Sequence, residues 1–225
     1  MTYCYLLNIK HLTFQTLNDI FRKQIPDACF DKASQYRMEY DRVRTLSGEI
    51  LARWALQKHF GISPDEPFLQ SENGKPHTLR PDVYFNISHS GEWVTAAVAD
   101  SEIGVDVEKL RTNKMGLAQR FFSTAEINHI NTSANPDNAF TRLWTIKEAY
   151  LKYLGKGLTK ALNSFTVLTD KETIALADDT KRILPVHILT QELPDKAWLA
   201  ICAHQPIKTT SVIKTAINNI KFKQK

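Results

Sequence analysis

Apolar positions along this chain switch repeatedly between strand and helix spacing. Residues 3–9 alternate weakly and are apolar enough for a buried strand. Over residues 13–25, Phe14, Leu17, Ile20 and Phe21 share one helical stripe, which Pro26 stops. Residues 31–44 are dense in charge, with Lys32, Arg37, Arg42 and Arg44, and read as a solvated helix face. The strongest helix follows over 45–60. Leu46, Ile50, Leu51, Trp54 and Ala55 form its stripe, and Gly61 is placed to end it. Residues 63–81 read as loop, with Asn73-Gly74-Lys75-Pro76 as a turn.

Three strands are expected next, over 83–88, 93–99 and 103–108, joined by turns at Ser90-Gly91 and Asp100-Ser101 as an antiparallel meander. Short helices are expected over 117–122 and 124–130, the second capped by Thr124, and then a polar linker over 131–138 containing Pro136. A second long helix over 139–154 ends at Gly155, and strand-like runs return at 164–168, 183–189 and 197–203. Residues 211–225 are amphipathic and then basic, and the pattern does not place them. Each half thus carries a long helix with strands after it. The order points to an α+β fold of two similar halves, 1–102 and 103–225, with antiparallel sheets and a ligand cleft between them.

Composition adds little to that picture. The chain has 225 residues, 43% hydrophobic and 24% charged, as ordinary globular proteins do. A formal charge of +5 and a pI near 9.0 favour anionic partners without choosing among them. Cys4, Cys29 and Cys202 are odd in number and widely spaced, which fits reduced thiols in a cytoplasm. No charged start leads into an apolar stretch, and no run approaches the roughly 18 residues of a membrane span. Neither a secretion signal nor a membrane anchor is expected.

Two acidic stretches carry the candidate chemistry. In Ile103-Gly104-Val105-Asp106-Val107-Glu108-Lys109, Asp106 and Glu108 are two apart, so a strand would turn both to one face. Asp106 lies among apolar neighbours, where an unpaired charge is costly. In Leu143-Trp144-Thr145-Ile146-Lys147-Glu148-Ala149-Tyr150-Leu151-Lys152, Glu148 and Lys152 are four apart on a helix face. Three carboxylates beside a lysine suit a hard cation and a phosphate-bearing ligand. Taken one at a time, each carboxylate reads equally as ordinary surface charge. The turn Asn86-Ile87-Ser88-His89-Ser90-Gly91 fits either a hydrogen-bonded turn or a phosphate pocket, and Lys32, Arg44, Thr45 and Lys75 could converge with it.

Several segments together resemble the Sfp-type 4′-phosphopantetheinyl transferases. They are Asn86-Ile87-Ser88-His89-Ser90-Gly91-Glu92-Trp93-Val94, Ile103 through Lys109, Arg120-Phe121-Phe122-Ser123, Leu143 through Lys152, and Gly155-Lys156-Gly157-Leu158. The family pattern of aliphatic-Gly-aliphatic-Asp, then about forty residues, then Trp-x-x-Lys-Glu-x-x-x-Lys, is present in the right order. The resemblance runs over residues 32–168.

It implies a monomeric enzyme of two similar α+β halves, a pseudo-dimer with its cofactor cleft between them. Such an enzyme moves the phosphopantetheine arm of coenzyme A onto a serine of an acyl, peptidyl or aryl carrier protein and releases 3′,5′-ADP. Carried over by position, Asp106, Glu108 and Glu148 would bind magnesium, or manganese in its place. Lys152 would contact the phosphates near the reacting centre, with Lys147 as a neighbour, and Glu148, or a water it holds, would serve as the base. Lys32, Arg44, Thr45, Ser88 and His89 would bind phosphates at the nucleotide end, and Lys75 would face the adenine and ribose. Glu126 resembles an acidic family position near the metal. Cys29 stands where some members carry a lysine, which removes one cationic contact. Residues 114–122 are the expected carrier contact. The competing reading, a nucleic-acid-binding protein, has the pI and the basic end Lys221-Phe222-Lys223-Gln224-Lys225 behind it, but no recognisable binding motif.

Overall fold

Alternation within single strands sets the layers of this chain. In the computed structural model, which describes residues 1–155, 160–169 and 174–223, the first half holds β1 (Thr2–Asn8), α1 (Phe14–Phe21), α2 (Asp27–Ser34), α3 (Glu39–Phe60), β2 (Leu69–Gln70), β3 (Pro76–His77), β4 (Tyr84–Ser90) and β5 (Trp93–Ala99). The chain continues through β6 (Ile103–Lys109), α4 (Met115–Phe121), α5 (Thr124–Thr132), α6 (Pro136–Leu154), β7 (Phe165–Thr169), β8 (Ile174–Asp178), β9 (His187–Leu193), β10 (Ala197–Ala203) and β11 (Val212–Thr215).

Two sheets result, in the orders β11-β1-β5-β4 and β6-β10-β9, with β7–β8 and β2–β3 as separate hairpins. On β1, Tyr5 and Leu7 pack with α3, while Cys4 and Leu6 point the other way. On β10, Ala200 and Cys202 pack with α6, while Leu199 and Ile201 meet Cys4 and Leu6. Period two thus stacks helix, sheet, sheet and helix, and explains why β5 and β10 read as continuous apolar runs. The fold is mixed α+β with mainly antiparallel sheets; the exception is the parallel pairing of β1 with β11.

Several expectations change. The meander stops at β5: β6 leaves it and pairs with β10 in the other sheet. Helix α3 starts at Glu39 rather than 45, because Glu39 and Asp41 suit a first turn whatever their exposure. Helix α6 starts at Pro136, so part of the expected linker is helix. Proline is favoured at a first turn, and the Asn135 side chain accepts from Asn138 N to cap it. The strand expected over 183–189 lies at His187–Leu193. Strand β11 places part of the unassigned tail. Beyond it, Gln57 bonds both backbone groups of Lys223, and Ile220 joins the core under α3. Residues 156–158 of the Gly-Lys-Gly-Leu motif, and 224–225 of the basic end, lie outside the described residues. All three cysteines are buried free thiols, and burial pushes Cys4 up to about 12.

Ser123, not Thr124, caps α5, in a reciprocal box with Glu126. Ser123→Ala is expected to cost about 1 kcal/mol, read as a lower urea midpoint with an unchanged slope.

Candidate functional site

The two long helices and the facing strands β4 and β6 enclose a cleft of about 810 Å³. Strand β6 puts Gly104, Asp106 and Glu108 on the face toward α6, and Val105 and Val107 into the core between the sheets. A Cβ on Gly104 would lie 2.1 Å from Ala149 O, so only glycine lets α6 come this close. That approach brings the second acidic stretch to the first. Asp106, Glu108, Glu148 and Lys152 all line the cleft, as expected.

Asp106 is 4% exposed. Its Oδ1 accepts from Lys152 Nζ at 2.7 Å and from Ser88 Oγ at 2.7 Å. Among the described residues, its Oδ2 is buried without a hydrogen-bond partner. Glu108 accepts from Ser90 Oγ at 2.8 Å through Oε2, and its Oε1 pairs with the Arg111 guanidinium. Burial raises the Asp106 carboxyl above its ordinary range, opposed by Lys152 and aided by Glu108. Burial likewise raises Glu148, with Asp106 and Glu108 adding repulsion and Lys152 and Arg111 opposing it. Three mutually repelling carboxylates therefore share one wall.

The α2–α3 end of the cleft is lined by Lys32 and Thr45; Ser88 and His89 come from β4, and Ser88 lies against Asp106 and Lys152. Lys32 Nζ binds Glu49 Oε1 at 3.0 Å. Burial, then the charges of Arg44 and Lys152, holds His89 below the usual imidazole range, so it is a neutral donor at pH 7. Cys29 also lines this end, and burial pushes its thiol up against the pull of Arg53.

Four expected contacts lie elsewhere. Lys147 is not in the cleft: it is fully buried, its Nζ donating to Leu162 O at 2.8 Å and Phe165 O at 2.7 Å and pairing with Glu126 Oε1 at 2.9 Å. Adjacent helix residues point about 100° apart, so Lys147 cannot share the Glu148 face. Glu126 is its counter-ion and the α5 cap partner, bonded also to Val167 N, and does not line the cleft. Lys75 directs its ammonium to Glu102, Ile103 O and Tyr153 O, while its neighbours Gly74 and Pro76 line the cleft. Arg44 bonds Gly91 O and Asp41 and stacks on Tyr40, beside His89 rather than on the wall.

Glu49, Arg53, Arg111 and Trp144 are among the lining residues that the sequence pattern did not assign to the site. Arg53, 6% exposed, bonds Pro64 O and Glu66 O and lies over Phe68, fixing the loop that walls the cleft. A Glu49–Arg53 pair four apart, both buried within the long helix α3, was the available signal.

Among the described residues, no group of three or more His, Cys, Asp and Glu side chains is already gathered as a metal site. The donor set at β6 and α6 is oxygen-only, however, and the orphaned Asp106 Oδ2 needs a partner.

A family described as the 4′-phosphopantetheinyl transferase superfamily matches residues 102–202, and one described as 4′-phosphopantetheinyl transferase, N-terminal, matches residues 19–101. A 4′-phosphopantetheinyl transferase of Bacillus subtilis is 36% identical over 184 residues, 78% of this chain and 80% of the relative. The transferase psf-1 of Bacillus pumilus is 31% identical over 217 residues, 88% of this chain and 93% of the relative. The transferase Sfp of Bacillus subtilis strain 168 is 33% identical over 199 residues, 85% and 88% of the two.

Proposed function

The chain belongs to the 4′-phosphopantetheinyl transferase superfamily, and from that membership we propose that it activates carrier proteins. It transfers 4′-phosphopantetheine from coenzyme A to a serine of an acyl, peptidyl or aryl carrier protein and releases 3′,5′-ADP. The observation that carries this reading at the level of residues is the meeting of Asp106, Glu108, Glu148 and Lys152 on one cleft wall.

In our reading the cleft holds coenzyme A between two similar α+β halves, 1–102 and 103–225. Each contributes a long helix on a sheet, α3 in one and α6 in the other. Strand β11 crosses back to the first sheet. Lys32, Thr45, Ser88 and His89 take the phosphate at the nucleotide end, with Arg44 behind His89. The Lys75 loop meets the adenine side through Gly74 and Pro76. With Cys29 where a lysine is familiar, Lys32 and His89 carry more of that contact.

Asp106, Glu108 and Glu148 would hold magnesium, or manganese. Bound there, the ion would supply positive charge to offset that of the pyrophosphate. The orphaned Asp106 Oδ2 and the repulsion among the three carboxylates support the fit. Lys152 reaches the phosphates from the Asp106 side and stabilises the departing charge. Glu148 takes the proton that the carrier serine loses as it attacks.

We place the protein in the cytoplasm as a monomer, its net positive charge steering acidic carrier surfaces toward residues 114–122. Among the described residues, no helix is long and apolar enough to cross a membrane. Nothing supports the nucleic-acid alternative. The test is release of 3′,5′-ADP from coenzyme A, with apo carriers of the fatty-acid, polyketide and nonribosomal peptide types. Release is expected with at least one, and stops when a chelator removes divalent ions. No release with any of the three, or release that a chelator leaves untouched, would contradict the reading.

A further inference from the structure

The facing edge strands β4 and β6 belong to different sheets, with no backbone ladder between them. Successive N–H groups of a strand point to opposite edges. One set on β6 pairs with β10, and the other would be left without acceptors at a buried seam. Side chains of β4 fill that need. Asn86 Oδ1 accepts from Val105 N at 2.9 Å, Ser88 Oγ from Val107 N at 3.3 Å, and Ser90 Oγ from Lys109 N at 3.1 Å. Both strands advance two residues per rung, so the three rungs are in register.

Two rungs do a second thing. A hydroxyl has one proton and two lone pairs. Ser90 accepts from Lys109 N and sends its proton to Glu108 Oε2 at 2.8 Å. Ser88 sends its proton to Asp106 Oδ1 at 2.7 Å and accepts from Val107 N and Lys152 Nζ. The Asn86 rung faces the Gly104–Val105 step, where β6 has no carboxylate.

We propose that Ser90 is a positioning residue for Glu108, and that the ladder ties the cation-binding carboxylates to the joint between the sheets. The proposal rests on the reading of Asp106, Glu108 and Glu148 as divalent-cation ligands. Glu108 has two anchors, Ser90 on Oε2 and Arg111 on Oε1. Without the hydroxyl, the carboxylate turns wholly onto the guanidinium and its aim into the cleft is lost. Ser90 suits this task better than Ser88 as a test position, because Ser88 also lines the cleft and bonds both Asp106 and Lys152.

The experiment measures Mn2+ binding to the full chain in the presence of coenzyme A and without carrier, from the paramagnetic resonance signal of free Mn2+. Ser90→Ala is expected to weaken Mn2+ binding about tenfold, the lower range for loss of a group that orients a metal ligand. Ser90→Thr keeps the hydroxyl and should bind Mn2+ nearly as the wild type does. Asn86→Ala removes a rung but no carboxylate partner, so it should lower thermal stability and leave Mn2+ affinity unchanged. Wild-type affinity in Ser90→Ala would overturn the proposal, as would equal weakening in Asn86→Ala and Ser90→Ala. If Asn86→Ala fails to fold, a Ser90→Thr variant as weak as Ser90→Ala overturns it instead. A wild-type protein that binds no Mn2+ removes the cation reading itself, and the proposal with it.

Discussion

Asp106→Ala is expected to abolish transfer, with a loss on the order of 10²–10³-fold or more, the scale set by removing one electrostatic group from a preorganised site. The loss has two parts. One hard oxygen ligand disappears from a wall that offers only three carboxylates, and Lys152 loses the partner that holds it at 2.7 Å. Stability should change much less. Burial already disfavours the charged Asp106 carboxylate, and Lys152 is partly exposed, so its ammonium can turn to water. Asp106→Asn should be equally inactive and fold as the wild type does. The check is transfer rate against magnesium concentration, beside a thermal melt of the same preparations. Near wild-type transfer at limiting magnesium would take Asp106 out of the ligand set.

Gly104→Ala is expected to break the crossing of β6 and α6. The added Cβ would lie 2.1 Å from Ala149 O, 2.2 Å from Tyr153 N and 2.8 Å from Tyr153 Cα. All three are backbone atoms of α6, so no rotamer change relieves the clash, and the helix must back away from the strand. Overpacking ordinarily costs about 1–3 kcal/mol; with backbone on both sides, the loss should reach about 3 kcal/mol or more. Whatever remains folded should also transfer poorly, because Glu148 and Lys152 flank the displaced turn. Urea unfolding and transfer rate together test this. Wild-type stability in Gly104→Ala would mean that the crossing tolerates a wider spacing than its geometry indicates.

Much of the site was legible because it rests on local periodicity. Asp106 and Glu108 share a face by the period of a strand, and Glu148 and Lys152 by that of a helix, so each pair was readable within its own element. Lys147, carried over by position as a neighbour of Lys152, lies instead in the core beside Glu126, because one step along a helix turns it away from the Glu148 face. What failed elsewhere was pairing between distant segments. The turn at Asp100-Ser101 looks like a hairpin, yet β6 finds its partner in β10, nearly a hundred residues later in the chain. The same holds for β11 against β1 at the two ends of the sequence. The Asn86, Ser88 and Ser90 spacing was visible as a period of two, but its meaning depended on knowing which strand it faced. Helix starts moved where the charged run before residue 45 was kept apart from the helix after it and where Pro136 looked like linker, since polarity alone does not mark where a helix begins.

The most direct test is the intact mass of an apo carrier protein incubated with this chain, coenzyme A and magnesium. The account predicts a gain of one phosphopantetheine on the carrier serine, absent when that serine is alanine and absent with the Asp106→Ala enzyme. An unchanged carrier mass across fatty-acid, polyketide and nonribosomal peptide types, or a full gain with Asp106→Ala, would contradict it.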